Sequence, residues 1–553
     1  MSSENPPWWE RGIVYQIYPR SYRDSTGNGV GDLPGIAGSL DHLAGTDESL
    51  GITAIWLSPF YPSPMRDFGY DVSDYTDVDP RFGTMDDFRD LIREAHGRGI
   101  RVVVDLVLNH SSDEHRWFRE ARKSRDNPYH DWYIWHPGRP RRLPVLRRRL
   151  RPRRPNNWLS SFDIGSAWHW NPATQEYYLG TFTRHQPEVN WRNPELRKAM
   201  YQVMRFWLDE GVDGFRLDVI NWFIKDEHFR SNPWNLRVYP DMLQRHIYDR
   251  NRPETHEICR EMRRLADSYG ERLLVGEVFH DNAELAAEYH GPDGEELHLA
   301  FNFEFLFQRW GAKRFARAAE RWFHALPDDA WPNFTLSNHD QPRHISRYAR
   351  GAATEARARV AAALLLTIRG TPFLYYGEEI GMRNLAIPRR RLQDPLGRST
   401  WPLPFGRDGE RTPMQWSARA HAGFSEAEPW LPIDPVYRER NVAAQREDPA
   451  SLLSFYRRLI ALRRSSEALM TGDMRMIRPG RRNVLVYERR TGSERVLVIL
   501  NFSGRSRRVD LPGSAAWTTL FAEGLPEPET LPAGSAVLPG YGIVLLQASE
   551  LSP

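Results

Sequence analysis

The sequence predicts an α/β fold: a (β/α)8 TIM barrel with an inserted subdomain after the third strand and a C-terminal antiparallel β-domain. Three observations lead there. Eight short apolar runs rich in β-formers alternate with stretches of helical period. Residues 111–180, between the third and fourth runs, break that alternation with mixed turns and aromatics. After about residue 470 the pattern changes to short alternating strands.

The eight runs are "GIVYQIYP" (12–19), "ITAIWLSP" (52–59), "IRVVVDLVLNH" (100–110), "GFRLDV" (214–219), "LLVGEV" (273–278), "LAFNFEF" (299–305), "NFTLSNHD" (333–340) and "TPFLYYGEE" (371–379). Helical spacing of apolar residues fits 84–99, 194–211 and 256–270. "NVLVYERR", "RVLVILNFS", "RRVDL" and "YGIVLLQ" read as strands of the last domain. The expected domains are a barrel over 1–110 and 181–470, an insert over 111–180, and a β-sandwich over 471–553. A chain of 553 residues is long enough for two or three such units.

Composition excludes several function classes. The chain has one cysteine, Cys259, so an internal disulfide is impossible and a thiolate metal site is not expected. The longest apolar stretch, "VAAALLLTI" (360–368), is too short to span a bilayer, so no membrane partner is expected. "MSSENPPWWERG" has no apolar leader segment, and a cytoplasmic protein is the expectation. Nine of the sixteen residues 139–154 are arginine; without them the formal net charge of +3 becomes −6. The basic balance is therefore local. A nucleic-acid binder spreads its cations over a folded face, so the run reads as a solvated loop and no nucleic-acid partner is expected.

Barrel enzymes place their chemistry at the C-terminal ends of the strands. Here those ends carry Asn109 and His110, then Arg216 and Asp218, then Glu277, then His339 and Asp340. Three carboxylates around one pocket fit glycoside hydrolysis, with a nucleophile, a proton donor, and a stabiliser of the oxocarbenium-like transition state. Arg216 is expected to keep Asp218 ionised. Glu277 must hold a proton, so its pKa is expected to be raised by burial and nearby carboxylates.

"DLVLNH" (105–110), "GFRLDVIN" (214–221), "LLVGEVF" (273–279) and "LSNHDQPR" (336–343) resemble the ordered blocks of the α-amylase superfamily, glycoside hydrolase family 13. "QPEVNW" (186–191) resembles the block that marks its oligo-1,6-glucosidase and α-glucosidase branch, with Glu188 where that branch usually carries Asp. "GTPFLYYGEEIGM" (370–382) and "RDGERTPMQW" (407–416) fit the same placement. The blocks come in order and span almost the whole chain.

The resemblance implies Asp218 as nucleophile, Glu277 as general acid/base and Asp340 as transition-state stabiliser. It implies Arg216 ordering Asp218, and His110 and His339 hydrogen-bonding the reacting sugar. Asp67 and Tyr70 of "RDFGYD" (66–71) match the acid that grips the terminal hydroxyls and the stacking aromatic. Arg411 matches the arginine beside Asp67, and Phe182 and Gln186 line the same subsite. An Asp67–Arg411 ion pair would close the pocket and impose exo action, releasing one α-glucose. In this branch Val at 219 goes with α-1,6 activity, so isomaltose-type substrates are expected, with α-1,4 cleavage also possible chemistry for the site.

The loop "DSTGNGVGD" (24–32) alternates Asp24, Thr26, Asn28, the Val30 carbonyl and Asp32, a spacing that suits Ca²⁺ or Mg²⁺. The resemblance strengthens the expectation of a structural cation there; no organic cofactor is expected. A small oligosaccharide or disaccharide is the expected partner, and the chain is expected as a monomer or homodimer. The rival enzyme reading is a transglycosylase or isomerase of the same family, of trehalose synthase or sucrose isomerase type. A non-enzymatic rival, the transporter heavy subunits that share the fold, carries a membrane helix and generally lacks the full acid set.

Overall fold

The eight barrel strands are β1 (Val14–Ile17), β2 (Ala54–Leu57), β3 (Arg101–Leu106), β7 (Gly214–Leu217), β8 (Leu273–Gly276), β9 (Leu299–Ala300), β10 (Asn333–Thr335) and β11 (Thr371–Tyr375). The structure is a computed structural model. It describes the chain except residues 1–5, 142–150, 237–242, 281, 404, 478–482, 513–515, 525–529, 532–533 and 549–553. Every neighbouring pair in the barrel sheet is parallel, in the order β10-β11-β1-β2-β3-β7-β8-β9. The ring is nearly closed, with its seam between β9 and β10.

The helices form where the apolar period and the caps agree. Met85–Gly97 starts at Thr84, which makes a reciprocal capping box with Asp87. Pro194–Asp209 starts at Asn193, whose side chain accepts from the backbone of Glu195 and Leu196. Glu254–Asp267 follows. One run departs from expectation. The alternation of 299–305 ends after Ala300, because the Asn302 side chain accepts from the Phe305 N–H at 3.0 Å and caps a short helix, Phe303–Leu306.

Between β3 and β7 the insert builds a three-stranded antiparallel sheet from β4 (Trp135–His136), β5 (Trp168–Asn171) and β6 (Glu176–Leu179). Trp158, Trp168, Tyr177 and Leu179 form its core. Arg139 and Arg153 exchange two backbone hydrogen bonds of 2.8 Å, so the described ends of the arginine run pair with each other. Residues 142–150, on which the solvated-loop reading mostly falls, lie outside the described residues.

From Asp473 onward the regular elements among the described residues are strands. β12 (Asp473–Ile477), β13 (Val484–Arg490), β14 (Arg495–Asn501), β16 (Trp517–Glu523), β17 (Thr530–Leu531) and β19 (Ile543–Ala548) form one sheet; β15 (Arg507–Asp510) and β18 (Ser535–Leu538) form a second. Val486, Leu497, Ile499, Val509, Trp517, Leu538 and Val544 pack as their common core. Among the described residues no helix is long and apolar enough to cross a membrane.

The barrel interior explains where the site lies. Side chains alternate along a strand, so residues two apart share a face. Val14, Trp56, Val103, Leu273, Val275, Leu299 and Phe373 form one apolar cluster. Two residues further along β1, β3 and β8 stand Gln16, Asp105 and Glu277. On β7 the same face passes from Gly214 to Arg216 to Asp218. The interior therefore changes from apolar to charged within one repeat, at the C-terminal end of the strands.

Gly214 is required by close approach: a Cβ there would sit 2.3 Å from the Leu273 carbonyl oxygen of β8. Gly214→Ala should therefore force β7 away from β8 and destabilise the barrel by about 1–3 kcal/mol. Calorimetric or denaturant unfolding checks this, and an unchanged barrel transition would refute it.

Candidate active site

Arg216 is the hub of the strand-end cluster. Its side chain is 1% exposed. Nη1 donates to Asp105 Oδ1 at 2.8 Å and to Asp218 Oδ1 at 2.7 Å, and Nη2 donates to Glu277 Oε2. Its Cζ lies 5.3 Å from the Trp56 ring and 6.0 Å from the Tyr70 ring. Asp105 completes its own shell with Tyr70 Oη at 2.9 Å and Trp56 Nε1 at 3.3 Å.

One guanidinium thus faces three buried carboxyls. Burial, and then the charges of Glu277 and Asp105, push the Asp218 carboxyl well above the usual range, although Arg216 pulls it down. Burial, and then Asp340 and Asp105, raise Glu277, again against Arg216. Arg216 contacts Asp218 and lowers its carboxyl, as expected, but it is shared with Asp105 and Glu277, so its pull on Asp218 is divided. The two carboxyls titrate as a pair.

Val219, directly after Asp218, has φ 39° and ψ 45°. A β-branched residue rarely adopts this left-handed conformation, and such strain collects at functional sites. It turns the Val219 N–H toward Glu277 Oε2 at 3.3 Å. The Val219 side chain packs with Phe182 and Trp222.

Asp340 has the opposite environment. Burial opposes its ionisation, but Arg407 and Arg411, with His339 when protonated, hold its carboxyl well below the usual range. Its side chain is 27% exposed, against 8% for Asp218 and 6% for Glu277, so it is the most open of the three acids. Arg407 Nη1 donates to Asp340 Oδ1 at 3.0 Å and Arg411 Nη2 donates to the same oxygen at 2.6 Å.

The structure corrects the partner of Asp67. Arg407, not Arg411, holds it: Nη2 lies 2.6 Å from Asp67 Oδ1 and 2.7 Å from Asp394 Oδ1. The Arg411 Nε is spent on the His339 carbonyl at 2.7 Å, and its guanidinium lies 5.5 Å from the Tyr18 ring and 5.9 Å from the Phe68 ring. That placement aims its fork at Asp340. Asp67 itself is presented by a loop folded around Asp71, which accepts from the Arg66 and Asp67 N–H groups and the Ser63 hydroxyl. Burial pushes Asp71 up to about 6.

The remaining expected residues converge on the same pocket. Gln186 Nε2 lies 3.1 Å from Asp67 Oδ2 and 3.1 Å from His110 Nε2. Phe182 lies 5.1 Å from the His110 ring. Tyr70 stacks on His339 at 5.3 Å. His339 is not free to meet a sugar: Gln16 lies 2.8 Å from its Nδ1 and Tyr70 Oη 2.6 Å from its Nε2. His110 is similarly engaged, by the Tyr70 carbonyl as well as Gln186. Burial holds both imidazoles down to about 3, so they are neutral. Here the contacts of both rings are with Tyr70 and with the glutamines Gln16 and Gln186.

Asp105, Gln16, Arg407 and Asp394 escaped the sequence reading. Asp105 had a signal, a lone acid on the inward face of "RVVVDL". Arg407 stands four residues before Arg411 in a block already singled out. Asp394 has no local signature beyond capping the helix Pro395–Thr400.

The loop 24–32 does not supply a free ligand set. Asp24 Oδ1 accepts from Thr26 N, Thr26 Oγ1 and Gly27 N, and Oδ2 from Gly29 N and Ser425 Oγ. Asp32 accepts from the Ser25 N–H and hydroxyl and from Gly35 N. Asn28 Oδ1 accepts from Val30 N. The Asp24, Asn28 and Asp32 oxygens proposed for a cation already accept from the chain's own donors, so these three do not fit one without giving up or sharing these bonds. Among the described residues no group of three or more His, Cys, Asp or Glu could hold a metal ion.

Comparison with known proteins decides the family. The alpha amylase catalytic domain matches residues 16–472, and the maltogenic amylase C-terminal domain matches 474–545. The chain belongs to the α-amylase superfamily, glycoside hydrolase family 13. It is 44% identical over 519 residues to a probable alpha-glucosidase of Rhizobium meliloti, covering 91% of each chain. It is 39% identical over 543 residues to an oligo-1,6-glucosidase of Parageobacillus thermoglucosidasius, covering 93% of each. Among solved structures, an alpha-glucosyl transfer enzyme superposes with TM-score 0.90 at 39% identity, covering 98% of this chain and 100% of that one. The trehalulose synthase of Pseudomonas mesoacidophila superposes with TM-score 0.87 at 34% identity, covering 99% and 100%.

Two predictions concern this family-13 site. Asp105 raises both Asp218 and Glu277. Asp105→Asn removes that charge and frees Arg216 for the other two, so both carboxyls should titrate lower. Both limbs of the pH profile of kcat/KM should move to lower pH; an unchanged or alkaline-shifted profile would contradict the shared-arginine account. Second, exhaustive chelation should leave the thermal midpoint and the activity unchanged, because loop 24–32 is closed by hydrogen bonds. A midpoint that falls with chelator and recovers with Ca²⁺ or Mg²⁺ would restore the cation.

Proposed function

We propose that this enzyme is a retaining, exo-acting α-glucosidase. It releases α-glucose from the non-reducing end of short α-glucosides, chiefly α-1,6-linked ones of isomaltose type, and also cleaves α-1,4 bonds. The observation that carries the reading is the placement of Asp218 and Glu277 on the two terminal nitrogens of one buried arginine.

Asp218 attacks the anomeric carbon while Glu277 gives its proton to the departing glycosidic oxygen. The C–O bond to the leaving group breaks as the bond to Asp218 forms. Glu277, now ionised, takes a proton from water, which attacks the same carbon and releases Asp218. Two inversions give retention. Asp340, kept ionised by Arg407 and Arg411, stabilises the positive charge that develops on the sugar. The Asp67–Arg407–Asp394 bridge supports exo action, since it places fixed charges against the far side of the sugar. Val219, beside both acids, supports the preference for α-1,6 bonds, and the relatives named oligo-1,6-glucosidase agree with it.

A second reading uses the same machinery with a sugar in place of water. The likeness to a trehalulose synthase and an alpha-glucosyl transfer enzyme favours it.

Product analysis on isomaltose, maltose, sucrose, trehalose and a dextran separates the two. The proposal expects free glucose from isomaltose, with the α-anomer formed first by NMR. Rearranged disaccharides from sucrose as the main product would establish the second reading. β-Glucose as the first product, or maltose cleaved with isomaltose untouched, would overturn retention or linkage respectively. Glu277→Gln should lower kcat by about 10²–10⁴, and Asp218→Asn should abolish turnover with the fold intact.

A further inference from the structure

Glu188 and Lys225 form an ion pair that no catalytic step uses. Both side chains are 1% exposed, and Nζ lies 2.5 Å from Oε2. Two apolar residues of similar volume are often at least as stable as a buried pair, so its presence needs a reason beyond stability.

Its other contacts supply one. Lys225 Nζ also donates to the Trp222 carbonyl and lies 5.4 Å from the Trp222 ring. Trp222 closes the single turn Ile220–Trp222 that begins directly behind Asp218 and Val219. Glu188 Oε1 accepts from the N–H of Thr181 at 3.1 Å, and Thr181 precedes Phe182. Phe182 and Trp222 then meet at 5.5 Å and pack with Val219 in one cluster. The ion pair ties together the two chain segments whose apolar side chains form this wall. The wall stands beside Glu277, the proton donor of the reading above, since the Val219 N–H donates to Glu277 Oε2 at 3.3 Å, and its Phe182 also flanks His110 at 5.1 Å.

We propose that the Glu188–Lys225 pair is a positioning device: it sets the Phe182–Val219–Trp222 wall and so governs which leaving groups the enzyme accepts. The proposal rests on the α-glucosidase reading above.

The test is the double variant E188Q/K225M, which removes both charges and leaves no orphaned ion. It is assayed beside wild type on α-glucosyl fluoride, whose fluoride leaving group carries no sugar for the wall to select, and on isomaltose and maltose. On the fluoride, kcat/KM should stay within about threefold of wild type; on isomaltose it should fall about tenfold or more, mostly through KM, with a changed isomaltose-to-maltose ratio. An equal fall on all three substrates, or no fall on any, would overturn the proposal. If the double variant does not fold, Trp222→Phe, which leaves the ion pair in place, should shift the same ratio; a ratio equal to wild type would overturn it. Wild type inactive on the fluoride would instead sink the α-glucosidase reading itself.

Discussion

A single guanidinium buried under three carboxyls is the constraint around which the site is built. Moving a guanidinium and three carboxyls out of water is costly, and the cost is offset only while each group keeps its partners. Arg216 bonds to Asp105, Asp218 and Glu277 at once, so none of the three can be placed independently of the others. The geometry of β3, β7 and β8 then follows, since each strand must deliver its acid to the same fork.

A second cluster is built in the opposite sense. There Arg407 and Arg411 share Asp340, and Arg407 also bridges Asp67 and Asp394. Burial and the neighbouring carboxyls around Arg216 raise Asp218 and Glu277, whereas two guanidinia converging on Asp340 help to lower it against its own burial. The pocket thereby pairs carboxyls pushed up with one held down. Separating titratable groups in this way is how a single site performs acid and base chemistry at one pH. The neutral imidazoles of His110 and His339 add hydrogen bonds without disturbing that balance.

Much of this was legible in the sequence, and the exceptions have physical causes. The strands read correctly where a β-rich run ends in a polar residue, as in "GFRLDV" and "LLVGEV". The run 299–305 misled because its Phe301, Phe303 and Phe305 alternate like a strand while Asn302 caps a helix. Asp218, Glu277 and Asp340 stand at strand ends, where their position in the pattern points to them. Ion-pair partners do not have that property. Arginine reaches far enough that residues 407 and 411 could each have met Asp67, and the sequence does not show the His339 carbonyl and the Tyr18 and Phe68 rings that hold Arg411 elsewhere. The oxygen-rich spacing of 24–32 could not reveal that its own N–H groups would occupy those oxygens.

The change of the barrel interior from apolar to charged within one strand repeat has a consequence for how the enzyme can be altered. Val14, Val103 and Val275 lie one inward position below Gln16, Asp105 and Glu277. Stability and chemistry therefore occupy different floors of the same strands. The trade between robustness and activity that burdens many enzymes arises where both demands fall on the same residues. In this barrel the lower floor can be repacked for heat resistance at little catalytic cost, provided that the strand positions, and with them the reach to Arg216, are kept.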